Sequence, residues 1–227
     1  MNDALTRKQN QTSTINFDRL ASEYDAWFEG KGNRIFRIET KTLQNFLSDL
    51  PKPWLEVGVG SGRFAKALGI ETGIDPSRKM AEIASKKGIN ALVNSGENSA
   101  FYSESFGTVF LIATLCFLES PLDVLKEVNR ILLPDGKIVL GLILKESPWG
   151  QYYRQKKTAG HQFYKYATFY ECKEVIKILV KAGFIIERIT SSLFQKPGNV
   201  QYMEEPKEGY YPDAGFTAIL GQKQYTQ

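Results

Sequence analysis

One stretch limits the fold more than any other. The apolar run Trp54 to Val57 passes through Gly58-Val59-Gly60-Ser61-Gly62 and continues from Arg63 to Leu68 with Phe64, Ala67 and Leu68 on one helical face. Alternate glycines let the backbone bend sharply and approach a ligand closely, as the strand-to-helix turn of a parallel α/β sheet requires. A nucleotide lying across the carboxyl ends of such strands would meet this turn and then the tip of the next strand. There, Gly69 to Asp75 ends in a carboxylate able to accept both ribose hydroxyls. A plainer reading makes the glycines a simple turn and Asp75 a cap for the helix that follows. Both features in this order, with strand before and helix after, favour an adenosine-type ligand.

The rest of the chain keeps the same rhythm of short apolar runs and helical patterns, which predicts a mostly parallel sheet with helices on both faces. Pro76 and Ser77 open a helix from Arg78 to Lys87, closed by Gly88, and Asn90 to Val93 is a short strand. Thr108 to Thr114 is a strand, and Pro121 heads a helix that runs to Leu133. After the turn Pro134-Asp135-Gly136, Lys137 to Leu144 reads as a strand covered on both sides. A helix from Thr168 to Ala182 and strands from Phe184 to Ile189 and Gly215 to Leu220 complete the pattern. Residues 15–50 are expected to form cap helices with Phe17, Leu20, Tyr24, Trp27 and Phe28 on one face. Residues 145–167, rich in aromatics among Lys, Arg and Gln, break the rhythm and read as an inserted lid. Residues 1–14 are polar and read as a flexible leader, leaving one domain over 15–227.

Composition narrows the function classes. The chain has 227 residues, 42% of them hydrophobic, enough for one sizeable core. Its longest apolar run, Val109 to Leu118, is half of what a bilayer crossing needs, so no membrane partner is expected. With 29 basic against 25 acidic residues, the charge of +4 gives little support for a nucleic-acid partner. One histidine and two cysteines argue against a metal site and a disulfide framework, and they fit a cytoplasmic location.

The dinucleotide fingerprint would place its third glycine at position 63, but Arg63 stands there and the glycine comes at Gly62, which weakens a nicotinamide reading. Glu56-Val57-Gly58-Val59-Gly60-Ser61-Gly62 followed by Gly73-Ile74-Asp75-Pro76-Ser77 resembles the first two motifs of class I S-adenosylmethionine-dependent methyltransferases. The segment Phe17 to Phe28 resembles the amino-terminal helix of that family's small-molecule branch, which includes the quinone-biosynthesis enzymes. Leu125 to Leu133 is similar to the helix before the family's Pro-Gly-Gly turn, which reads Pro134-Asp135-Gly136 here. The resemblance implies a Rossmann-like seven-stranded sheet with one antiparallel strand, and S-adenosylmethionine as cofactor. It places Glu56, Gly58, Gly60 and Gly62 along the methionine and ribose, with Ser61 in the same turn, and Asp75 on the ribose hydroxyls. Pro76 and Met80 would pack near the adenine, with Gly96 and Glu97 on its other side. Ala113 and Thr114 would face the methionine. Tyr24, Trp27 and Arg34 would cover the cofactor, with Arg34 pairing its carboxylate; as residue types, the aromatics equally suit a core and the arginine a solvated surface. Gly107 stands where the family often has an Asp, and is expected to loosen the start of its strand.

Methyl transfer from a sulfonium needs in-line alignment and exclusion of water more than a protein nucleophile. An oxygen or carbon acid would also need a base, for which His161, Tyr153 and Tyr166 are the candidates. The lid and residues 195–212 would form the acceptor pocket, with aromatic walls suited to a partly apolar or cationic small molecule; a satellite core or a dimer contact would use the same aromatics. Cys116 reads as a small core residue. Three readings stand in order: a small-molecule methyltransferase, a nicotinamide-dependent oxidoreductase, and a cofactor-binding interaction protein without turnover, as monomer or homodimer.

Overall fold

The structure, a computed structural model, describes residue 14 and residues 17–224, so the expected leader over 1–14 lies outside the described residues except for Thr14. Helix α1 covers residues 17–27 and α2 runs Asn33–Gln44. There follow β1 (Trp54–Val57), α3 (Arg63–Leu68), β2 (Thr72–Asp75), α4 (Arg78–Lys86), β3 (Asn90–Val93), β4 (Phe106–Ile112), α5 (Pro121–Ile131) and β5 (Leu132–Leu142). Then come α6 (Pro148–Thr158), α7 (Cys172–Lys181), β6 (Phe184–Ser192), β7 (Lys207–Glu208) and β8 (Phe216–Lys223).

The strands lie in the order β3-β2-β1-β4-β5-β8-β6-β7. Those from β3 to β5 pair in parallel, and β8 inserts antiparallel between β5 and β6. The sheet therefore has eight strands rather than the expected seven. The addition is the two-residue β7, which pairs antiparallel with the edge of β6 through Thr190↔Glu208 and Ser191↔Lys207. A strand that short carries no period for sequence to reveal.

Strand periodicity divides the core. Val109 and Leu111 of β4 join the cluster under α5 and α7, while Phe110 and Ile112 join the one under α2 and α3. All seven residues of β4 are buried, as for a strand covered on both faces. Helix α5 starts at a proline and buries Val124, Leu125, Val128 and Ile131 along one stripe, each contributing about 1.5–3 kcal/mol. Strand β5 begins at Leu132, earlier than the expected Lys137. Phe106 pairs with Leu132 and Thr108 with Lys137, so Pro134-Asp135-Gly136 bulges out of a ladder that continues past it. Nor does Gly107 loosen its strand: a Cβ there would come within 2.4 Å of the Pro51 carbonyl oxygen, and its absence lets that loop pack tightly.

Candidate functional site

The turn after β1 holds Gly58, Gly60 and Gly62 at φ +73°, +51° and +76°. At Gly58 a side chain is excluded twice, by the left-handed backbone and by Thr114, whose Cγ2 would lie 2.4 Å from a Cβ. The Gly58 and Val59 amides donate to the Ile74 carbonyl at 2.8 and 2.9 Å, which brings the bend against the tip of β2. There the Asp75 carboxylate accepts from the Gly60 amide and the Ser77 amide, each at 2.9 Å. Burial raises the Asp75 carboxyl to about 6, with these two amides pulling the other way. The glycine bend and the carboxylate, separated in sequence, thus form one grip. The Ser77 hydroxyl caps α4 by accepting from the Met80 amide at 3.2 Å.

Glu56, at the end of β1, is 1% exposed and its Oε2 has no hydrogen-bond partner. Burial pushes its carboxyl well above the ordinary value. Such an orphaned acceptor asks for a donor from a ligand, and an amino group is the fitting chemistry. Ala113 closes the neighbouring tip of β4 at φ +53°, a strained setting for a side-chain-bearing residue of the kind that gathers at functional sites. Thr114 lies beside it with Oγ1 3.3 Å from the Gly58 carbonyl oxygen. Gly96 is buried against Val57 and Val124, whereas Glu97 is exposed; Met80 is buried and Pro76 exposed.

Helix α1 is clamped over this grip. Asp25 takes Arg63 in a two-pronged contact at 2.7 and 2.8 Å and Lys87 at 2.6 Å. Against the effect of burial, these two cations hold the Asp25 carboxyl well below its usual range. Nearer the start of α1, Asp18 accepts from the Ser77 hydroxyl at 2.6 Å and the Lys79 amide at 3.0 Å. Tyr24 lies between the clamps, close enough to feel the charges of Glu39, Asp75 and Glu56. Neither aspartate stands out in sequence, because nothing local announces partners forty to sixty residues away.

Beyond Tyr24 opens a cavity of about 980 Å³. Of the expected site residues, Tyr24, Trp27, Arg34, Ala113, Tyr153 and His161 line it, and Tyr166 does not. Tyr166 instead carries Lys165 over its ring at 4.8 Å, and Tyr164 takes the inward place, 4.3 Å from the Tyr153 ring between centroids. The aromatics expected of a lid over 145–167 serve two ends: Trp149 and Tyr153 belong to a core cluster and also line the cavity. The Trp149 indole donates to the Gln195 carbonyl at 2.8 Å. His161 Nδ1 accepts from the Phe163 amide at 3.3 Å, and burial, then Lys156, lower its pKa. The Arg34 guanidinium donates to the Val200 carbonyl at 2.6 Å, tying α2 to the 195–212 loop. That loop contributes only Gly198 and Val200 to the lining. Cys116 is not the core residue expected: a single 3-10 turn, Leu115–Phe117, leaves it half-buried on the cavity wall.

The sequence reading missed Glu39. It lies in the buried stripe of α2 with Ile38, Thr40, Thr42 and Leu43, is 8% exposed and lines the cavity. Burial raises its carboxyl to about 8. The available signal was an acid in the middle of an apolar helix face.

A family profile for methyltransferase domains matches residues 55–140. A solved S-adenosylmethionine-dependent methyltransferase of Thermotoga maritima, described as a possible histamine N-methyltransferase, is 34% identical with a TM-score of 0.83, over 93% of this chain and 100% of its own. An uncharacterized protein of Methanocaldococcus jannaschii is 39% identical over 91% of this chain and 98% of its own length. The demethylmenaquinone methyltransferase of Thermotoga maritima is 31% identical over 55% of this chain and 58% of its own. Among the described residues no helix is long and apolar enough to cross a membrane.

Proposed function

Because the chain belongs to the S-adenosylmethionine-dependent methyltransferases, we propose that it transfers the cofactor's methyl group in line to a small-molecule acceptor held in the cavity beside Tyr24. The observation that carries this reading is the adjacency of a cofactor-type grip and a walled cavity of about 980 Å³, a size suited to a small molecule. When bound, the cofactor supplies a methyl on a sulfonium that is already a good leaving group. The protein's share is therefore alignment and exclusion of water. Asp75 accepts the ribose hydroxyls, and Glu56 receives the amino group that its orphaned oxygen lacks. Pro76, Met80, Gly96 and Glu97 frame the adenine, while Gly58, Ser61, Gly62, Ala113 and Thr114 border the methionine. Trp27 covers the site, and Arg34, although it holds the Val200 carbonyl, remains within this cover. Residues 15–227 act as one catalytic unit, with the caps over 15–50 and the lid over 145–167 closing the cavity.

The test is release of S-adenosylhomocysteine from S-adenosylmethionine across a panel of phenols, amines and carbon acids, with binding of both cofactor forms and of NADH measured by calorimetry. Turnover on at least one class with NADH silent supports the reading. Cofactor binding with no turnover on any class would favour a non-catalytic role, and binding of NADH alone would restore the nicotinamide reading.

A further inference from the structure

Glu39 is a carboxylate in an unusual position. It is nine-tenths buried, it lines the cavity, and among the described residues no hydrogen bond or ion pair engages it. A buried carboxyl without a partner is costly, and natural folds keep one where a ligand completes it. Its surroundings are aromatic: the phenols of Tyr24 on α1 and Tyr153 on α6 lie close enough to couple to its carboxyl electrostatically, and Trp149, Tyr152 and Tyr164 complete the wall. Two of these rings already receive a cation, since the Lys156 ammonium sits 4.7 Å from the Tyr152 centroid and 5.9 Å from that of Tyr153. The other charged groups of the cavity are committed or peripheral. Lys31, Arg34 and Arg37 are exposed, Arg34 holds the Val200 carbonyl, and Glu23 takes the Gln162 amide. His161 is half-buried in the lid with its Nδ1 occupied.

We propose that the acceptor is an amine carried into the cavity as its ammonium ion, that Glu39 pairs with it against the aromatic wall, and that the same carboxylate takes the proton that must leave before nitrogen can accept a methyl group. The proposal rests on the methyltransferase reading and names the acceptor class of that site. The balance is simple. One proton passes from the ammonium nitrogen to a Glu39 oxygen, and the freed lone pair forms the nitrogen–carbon bond. The carbon–sulfur pair departs with sulfur, leaving S-adenosylhomocysteine. A free carboxyl raised to about 8 is protonated at pH 7, so entry of an ammonium expels its proton. The complex keeps one proton shared between the two groups.

The test is calorimetry on the full chain saturated with S-adenosylhomocysteine. The probes are tyramine, tryptamine and histamine against the carboxylates 4-hydroxyphenylacetate and indole-3-acetate, each titrated in two buffers of different ionisation enthalpy. At least one amine is expected to bind with release of on the order of one proton at pH 7, and the carboxylates are expected not to bind. Glu39→Gln should weaken that amine on the order of 10- to 100-fold and abolish the proton release. The affinity for S-adenosylhomocysteine should stay unchanged, which also reports that the variant is folded. Glu39→Asp should recover part of the proton release, an effect that a purely structural role would not produce. Equal binding of amines and carboxylates, undiminished amine binding by Glu39→Gln, or binding of S-adenosylhomocysteine with no amine bound would each overturn the proposal and leave the cofactor site standing. Failure of S-adenosylhomocysteine itself to bind would remove the methyltransferase reading and this proposal together.

Discussion

Replacing Gly58 by alanine tests the construction of the glycine turn quantitatively. The backbone there, at φ +73°, costs a side-chain-bearing residue about 1–2 kcal/mol. The new methyl would sit 2.4 Å from Thr114 Cγ2 and 2.5 Å from its Oγ1, an overlap that adds about 1–3 kcal/mol. Gly58→Ala should therefore lose about 2–5 kcal/mol. The two costs are separable. Thr114→Ala removes both overlapping atoms but not the backbone strain, and alone it should cost about 0.5–1.5 kcal/mol for its contacts to the Gly58 and Ile112 carbonyls at 3.3 and 3.1 Å. The double variant should recover most of the overlap, giving a coupling of about 1–2 kcal/mol in a cycle measured by urea denaturation at constant m. Additivity to within about 0.5 kcal/mol would show that Thr114 does not obstruct the turn. A Gly58→Ala protein as stable as the parent would refute the reasoning entirely.

Two further variants test ion pairs, one in the α1 clamp and one on α5. Asp25→Ala removes the carboxylate that Arg63 and Lys87, only 19% and 17% exposed, share, leaving Lys87 without its carboxylate and Arg63 with Glu29 alone at 2.7 Å. It should cost about 2–3 kcal/mol and weaken S-adenosylhomocysteine by loosening α1, as denaturation and calorimetry would read. An unchanged affinity would detach α1 from cofactor binding. Glu127 lies under Arg130 at 2.7 Å and accepts from the Ser99 hydroxyl at 2.6 Å and amide at 3.0 Å, contacts that hold its carboxyl down to about 2, the Arg130 contact foremost. Its folded pKa lies below its unfolded one, so its stabilisation is complete above about pH 5 and lost as pH falls toward 2. The melting gap between parent and Glu127→Gln, about 1–2 kcal/mol at pH 7 after allowing for the exposure of Arg130, should close as pH drops to 2. A gap independent of pH would dismiss the ion pair as its source.

The glycine turn and Asp75 were legible because their signals are local: three glycines within five residues, then a strand ending on a carboxylate. Strands with a period or an unbroken apolar run were legible for the same reason, and β4 is the clearest case. What escaped the sequence is pairing at a distance. Nothing near Leu132 says that β5 already pairs with Phe106 ahead of the turn at Pro134-Asp135-Gly136, and nothing near Asp25 names Arg63 and Lys87. Rotations within irregular segments were equally hidden. A single turn of 3-10 helix brings Cys116 onto the cavity wall, and another presents Tyr164 inward in place of Tyr166. Glu39 carries a weaker signal, an acid on the apolar face of α2, which is outweighed by the rule that an acid on a helix is usually solvated; the packing of α2 decides for burial.

The bend at Gly58 to Gly62 and the Asp75 carboxylate are proposed together to hold an adenosyl ligand. Titration of S-adenosylhomocysteine into the parent and into Asp75→Asn addresses it directly. The parent should bind in the micromolar range. The variant, which cannot accept two ribose hydroxyls on an ionised carboxylate while it also serves the Gly60 and Ser77 amides, should bind at least about tenfold more weakly. Equal affinity in the two proteins, or none in the parent, would contradict the claim.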